Sequence, residues 1–209
     1  WNLMTTETPP RMAQPLKIVS IQLNEPGFGA TATVGTAVFD DLHAYIGSTG
    51  EEVALEGFES ELDWAPLVTS GIDSDEITLV SDNVHGGSQA AMFSFGKETN
   101  LGLRGFFRTD GDGILPVVAS RTFAEAAETP IGSQTIVSLT GGLVPVIIRD
   151  TVEYFPTLDP AGAGFLLFDL DGMLSYTGAL NPMASAAVNE FYVATEDGSD
   201  EAVHQAIRE

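Results

Sequence analysis

Asp169 and Asp171 stand two residues apart, behind the apolar run Phe165-Leu166-Leu167-Phe168 and ahead of Gly172. A carboxylate at the end of a buried strand is placed to attack phosphorus, and a second one two residues on is placed to serve as acid and base. That chemistry also needs a cation to offset charge on the transferred group. The lysines, Lys17 and Lys97, both lie upstream, and Met173 follows the glycine where a threonine is required. "FDLDGML" is therefore read as a strand end whose aspartates cap a helix, because Asp is favoured at the N-cap and near the positive helix end. No catalytic residue is assigned to the chain.

The same letters occur in haloacid dehalogenase-type phosphotransferases, but there the nucleophilic strand comes first and a cap segment follows it. Other constellations also reduce to plainer readings. His85-Gly86-Gly87-Ser88 has the composition of an esterase oxyanion loop, yet no G-x-S-x-G elbow exists; Met92 stands where Ser94 would need a glycine. A hairpin turn is expected there. His43, His85 and His204 fall in three separate elements without the i, i+4 spacing of a zinc helix, so no metal-binding residue is assigned. Asp110 and Asp112 in "TDGDG" lack the remaining ligands of a calcium loop. Glu59, Asp40 and Asp41 are read as solvated carboxylates. Trp64 is read as a buried sandwich residue, with a sugar-stacking platform as the alternative. Ligand-binding residues stay unassigned.

The elements that must position these residues are constrained by composition. The chain has 209 residues, 44% of them apolar, enough to bury a core. Thirty acidic residues against eight basic ones give a net charge of −22, which repels nucleic acid and anionic head groups. No cysteine is present, which excludes disulfides and thiolate chemistry. No apolar run approaches the ~20 residues of a membrane span, and "WNLMTTETPP" does not read as a signal peptide.

Two grammars divide the chain. Residues 16 to about 108 show short period-2 stretches between Gly, Pro, Asn and Asp: "LKIVSIQL", "GTAVFDDLHAY", "DEITLVSD", "SQAAMFSFG" and "GLRGFFR". Ala91, Phe93 and Phe95 share the expected inner face. After the turn-rich hinge 109–113, strand and helix alternate. "ILPVVAS" reads as a buried strand, with Ser120 capping a short helix through Phe123, Ala126 and Ala127, ended by Thr129-Pro130. "SQTIVSL", Thr140-Gly141-Gly142 and "LVPVIIRDTVEYF" form a hairpin, with Val144, Val146, Ile148, Val152 and Tyr154 on one face. Pro145 places the start of that second strand at an edge. "GFLLFD" is a strand, "LDGMLSY" a helical turn, "AAVNEFYVAT" a strand and "SDEAVHQAIRE" a capped helix. The expected fold class is α+β, mainly β: an antiparallel, jelly-roll-like β-sandwich over residues 1–112 and a small α+β domain over 113–209.

The second region resembles the extracytoplasmic domain of FtsX/MacB-type ABC transporter permeases. The likeness lies in Pro116-Val117-Val118-Ala119-Ser120, Phe123, Ile131-Gly132, the strand Val144 to Phe155, and Phe155-Pro156-Thr157-Leu158-Asp159-Pro160. The terminal "DEAVHQAIRE" is similar to the helix before the next membrane span in that family. Glu128-Thr129-Pro130 departs from it, standing where many members have a Gly-containing turn. In the first region "LEGFESELDWAPL" and "NVHGGSQAAMFSF" resemble galactose-binding-like jelly rolls, although "GTAVFDDLHAY" precedes them in the wrong order for a simple module.

The permease resemblance implies a non-catalytic domain on the extracytoplasmic face of the membrane. Its partners would be its own transmembrane helices, a cytoplasmic ATP-binding subunit and an extracytoplasmic protein, and its task the coupling of ATP hydrolysis to lipid, peptide or lipoprotein cargo. The jelly-roll resemblance implies the alternative of a carbohydrate-binding module at the cell surface, and a structural calcium site at Glu59 with Asp40 or Asp41; no other cofactor is expected.

Overall fold

The computed structural model describes residues 1–8, 17–24, 34–47, 49–68, 75–96, 103–109, 111–139, 142–156, 158, 162 and 164–181. Among these the fold is mainly β within an α+β class, as the period-2 stretches require. β1 (Ser20–Asn24), β8 (Leu103–Arg108) and β5 (Trp64–Pro66) make a three-stranded sheet in the order β1-β8-β5, antiparallel throughout. β2 (Gly35–Phe39), β7 (Ala90–Phe95) and β6 (Asp75–Val80) make a second antiparallel sheet in the order β2-β7-β6. Among the described residues β3 (Leu42–Ile46) and β4 (Glu51–Glu56) pair only with each other. The fourth sheet, β10-β11-β9-β12, joins β9 (Leu115–Ser120), β10 (Gln134–Leu139), β11 (Gly142–Val152) and β12 (Leu166–Phe168). Two helices accompany it, α1 (Arg121–Ala126) and α2 (Leu170–Leu180).

The β1-β8-β5 sheet is apolar on both faces, so it sits in the middle of the molecule. Successive strand residues point to opposite faces, and Phe106 and Phe107 accordingly enter different cores. Phe106 and Trp64 pack with Phe58, Ile77, Ala91 and Phe93 against the β2-β7-β6 sheet. Phe107, Ala65 and Leu67 pack with Val117, Val144, Val146, Ile148 and Tyr176 against the β9–β12 sheet and α2. The Ser20 hydroxyl and the Gln22 amide donate to the Ala179 carbonyl at 3.0 and 2.7 Å, which ties β1 to the end of α2.

Segments on both sides of residue 112 thus share the second core. The stretch read as a hinge is fastened to it: the Thr109 N–H donates to the Asp63 carbonyl, and the Ile114 N–H to the Asp112 carboxylate. Gly113 has φ +76° and is buried; a Cβ there would lie 2.7 Å from the Ala65 Cβ and 3.1 Å from the Phe107 ring. Only glycine satisfies that backbone and that contact together.

Local signals match the structure closely. Ser120 caps α1, its Oγ accepting from the Phe123 N–H at 3.1 Å, and β10 and β11 form the expected antiparallel hairpin. Four details differ. "GTAVFDDLHAY" is two strands in two sheets, because Asp41 takes φ +52° and turns the chain after Phe39. The inner face of β11 ends at Ile148: a bulge at Arg149 shifts the register against β9, so Val144, Val146 and Ile148 are buried whereas Tyr154 is 67% exposed. Pro145 lies on an interior strand, but β9 begins pairing only at Val146, so the missing N–H falls where β11 has β10 alone beside it. "LDGMLSY" opens a full helix of three turns rather than a single one. "AAVNEFYVAT", the terminal helix with His204, and Lys97, Asp110, Asp159 and Pro160 lie outside the described residues.

Candidate functional site

The densest arrangement of polar side chains surrounds the 81–89 loop, which joins the paired strands β6 and β7. The turn after β2 brings Asp40 to one side of this loop, where its Oδ2 accepts from the His85 N–H at 2.8 Å and the Gly86 N–H at 3.0 Å. Asp41 meets the His85 ring, Oδ2 to Nδ1, at 2.6 Å. From the other side Glu59 accepts from the Ser88 N–H, the Gln89 N–H and, at 2.7 Å, the Ser88 hydroxyl. The Ser88 hydroxyl and these two amides hold the Glu59 carboxyl below its ordinary range. The glycines permit this closeness. A Cβ on Gly86 would stand 2.6 Å from an Asp41 oxygen, and one on Gly87, at φ +65°, would strike Glu59.

Backbone N–H groups gathered in a turn form an anion-binding concavity. In this loop two of the chain's own carboxylates fill it. The amides that an oxyanion would need are therefore already donating, and His85 keeps its Nδ1 on Asp41. Glu59, Asp40 and Asp41, paired in the sequence as a calcium possibility, do converge here, but on N–H donors. Among the described residues no group of three or more His, Asp or Glu side chains is arranged to hold a metal ion.

The other sequence candidates are dispersed. Asp169 caps α2, accepting from the Gly172 N–H at 2.8 Å, with Asp171 in the first turn. His43 lies on β3 beside Glu52 at 3.1 Å. Trp64 is 3% exposed; its indole N–H donates to Glu56 at 3.1 Å and the Arg108 guanidinium lies over its ring, so it presents no open face for a sugar. Glu56 also accepts from the Phe58 N–H and pairs with Arg108. Burial pushes the Glu56 carboxyl up, but the Phe58 amide, the Trp64 indole and Arg108 together carry it below its ordinary value.

Three features escaped the sequence reading. Arg104 is 2% exposed within β8 and pairs with Asp75 at 3.2 Å, donates to the Gly96 carbonyl at 2.6 Å and stacks over Phe95. Burial pushes the Asp75 carboxyl up against the pull of the Gly96 amide and of Arg104. The available signal was an arginine inside "LRGFF", an otherwise apolar strand. Tyr176 on α2 reaches the central sheet, its hydroxyl accepting from the Val68 N–H at 3.1 Å, and burial pushes that phenol up to about 12. Nothing local marks it, since a tyrosine at a helical position is ordinary. A cavity of about 520 Å³ opens between β5, β6 and the 111–114 turn, with Asp75, Glu76, Asp112 and Gln134 on its walls.

Among the described residues no helix is long and apolar enough to cross a membrane. No family model, curated protein or solved structure matches this chain.

Proposed function

We propose that the chain is a non-catalytic extracytoplasmic domain of an ABC-type permease, transmitting movement between membrane helices and a partner or cargo outside the membrane. What supports this reading is the sequence resemblance over Pro116 to Phe155, a stretch that folds here as a strand, a capped helix and a hairpin. The shared core supports a mechanical role. Displacement of the β9–β12 sheet has to pass through Ala65 and Phe107 into the sandwich, because close-packed interiors transmit strain rather than absorb it. The polar clusters found here, Asp40 and Glu59 on the loop and Glu56 on Trp64 and Arg108, are consumed in holding backbone and side chains in place.

The test uses the full-length gene product that carries this chain. Membrane fractionation, protease access from outside intact cells, and co-purification of an ATP-hydrolysing subunit are the expected results. Recovery in the cytosol, or turnover of a phosphomonoester panel that vanished in Asp169→Asn, would overturn the reading.

A further inference from the structure

β3 and β4 form a ribbon that pairs with no other sheet among the described residues. Its base is fixed: Leu42 packs against the aromatic core and Glu56 is held by Phe58, Trp64 and Arg108. Beyond the base it stands clear of the body, with Glu51 through Leu55 all exposed. Alternation places Ala44, Ile46, Glu51 and Val53 on one face and His43, Tyr45, Glu52 and Ala54 on the other. Tyr45 is 64%, Ile46 42%, Val53 38% and Leu55 39% exposed. Two strands alone are marginally stable in water, and an open strand edge presents a row of unused N–H and C=O groups.

We infer that β4 is a docking edge for an extended segment of a partner protein in which basic and apolar residues alternate, added as a further strand. Charge selects that occupant. A second copy of the chain would pair "EEVALE" with itself, setting Glu51 against Glu56 at both ends, between bodies of −22 each. A strand with Lys or Arg opposite Glu52, on the face that β4 shares with Glu56, removes that repulsion, while its alternate apolar residues cover Val53 and Leu55 on the other face. The overall acidity would also speed its approach. Such strand addition draws affinity from main-chain hydrogen bonds and selectivity from alternate side chains. The inference does not depend on a permease carrying the domain.

The probe is a fluorescein-labelled eight-residue peptide of alternating Lys and Val, titrated against the 209-residue chain by anisotropy at 150 mM salt. It should bind at least tenfold more tightly than its Glu/Val counterpart and than the same peptide with methylated backbone nitrogens. Glu52→Lys should weaken it at least tenfold; Glu125→Lys, the same charge change on exposed α1, should alter it less than twofold. Hydrogen exchange should slow at the amides of residues 51–56. Equal loss in both variants, slowing elsewhere, no binding, or dimers of the chain joined through β4 would each overturn the inference.

Discussion

Phe106 and Phe107 are neighbours on β8, yet they enter cores of different chemistry. On the Phe106 side, rings dominate: Trp64 and Phe106 meet edge to face at 5.3 Å, with Phe58, Phe93 and Phe39 around them. Charges are held at that side too, Arg108 over Trp64 and Arg104 over Phe95. On the Phe107 side Val, Ile, Ala and Leu dominate, with Phe123 and Phe168 at the margin, and Tyr176 reaches the Val68 N–H from α2. Ring faces attract guanidinium groups, so an aromatic core can keep buried cations that an aliphatic one would expel. The aromatic side is accordingly where carboxylates, arginines and the pinned 81–89 loop accumulate. The aliphatic side is the scaffold.

That contrast predicts its own failure points. Arg104→Met should have the largest effect, about 3–5 kcal/mol lost in urea unfolding, because it leaves Asp75 buried without its cation. Replacing both, Asp75→Leu with Arg104→Met, should restore most of that stability, which separates the cost of an orphaned charge from the value of the pair. The two carboxylates of this core should also respond to acid in opposite senses. Asp75 is raised, so its contribution grows as pH falls and is lost as pH rises through its folded value. Glu56 is lowered, so its contribution is present above the unfolded carboxylate value and is lost as pH falls through its folded value. As pH falls, Asp75→Asn should lack the parent's gain and Glu56→Gln should lack the parent's loss, so the two variants depart from the parent in opposite senses.

On the aliphatic side Gly113→Ala should cost about 1–3 kcal/mol, from a left-handed backbone and an added methyl between Ala65 and Phe107. Gly111→Ala, two residues away with nothing within 4 Å, should stay within about 0.5 kcal/mol. Equal tolerance at both positions would mean that the layers on either side of residue 112 do not pack as one. Tyr176→Phe tests the same contact from the helix. It leaves the Val68 N–H buried without its acceptor and should cost about 1–3 kcal/mol. Because the folded phenol is raised to about 12, its contribution is intact below the unfolded value of about 10 and is lost as pH rises through 12. The phenylalanine variant should lack that alkaline loss.

Legibility in the sequence followed the range of the interactions. Ser120 and Asp169 act on amides three residues away, so their caps could be read from the letters around them. Thr140-Gly141-Gly142 between two alternating runs specified the β10–β11 pairing in the same way. Asp40 binds the loop from 45 residues away and Glu59 from 29, and no local pattern joins them to His85 and Ser88. Only the jelly-roll resemblance brought those carboxylates together, and then as metal ligands. The central position of β8 was hidden for a related reason: "FF" with both faces buried has no alternation to report which partner each ring will find. The Arg149 bulge moved Tyr154 off the expected face, since one inserted residue inverts every side chain beyond it.

The smallest effect belongs to the residues with the most suggestive spacing. Asp169 accepts one hydrogen bond from Gly172 at an exposed helix start, so Asp169→Ala should cost about 0.5–2 kcal/mol, the value of a lost N-cap. Asp169→Asn should cost almost nothing, because asparagine caps as well as aspartate and the geometry needs only an acceptor. Asp171→Asn removes a charge from the first turn and should cost about 0.3–1 kcal/mol at low ionic strength, less as salt is added. Urea unfolding of the three variants, at two salt concentrations, checks all of this. A capping role requires alanine to be worst and asparagine harmless at position 169. A carboxylate held for chemistry gives a different order, in which the alanine and asparagine variants are both more stable than the parent. The helix beyond makes capping sufficient: α2 carries Tyr176 and Ala179 into the aliphatic core, and its start has to be fixed for Tyr176 to reach Val68.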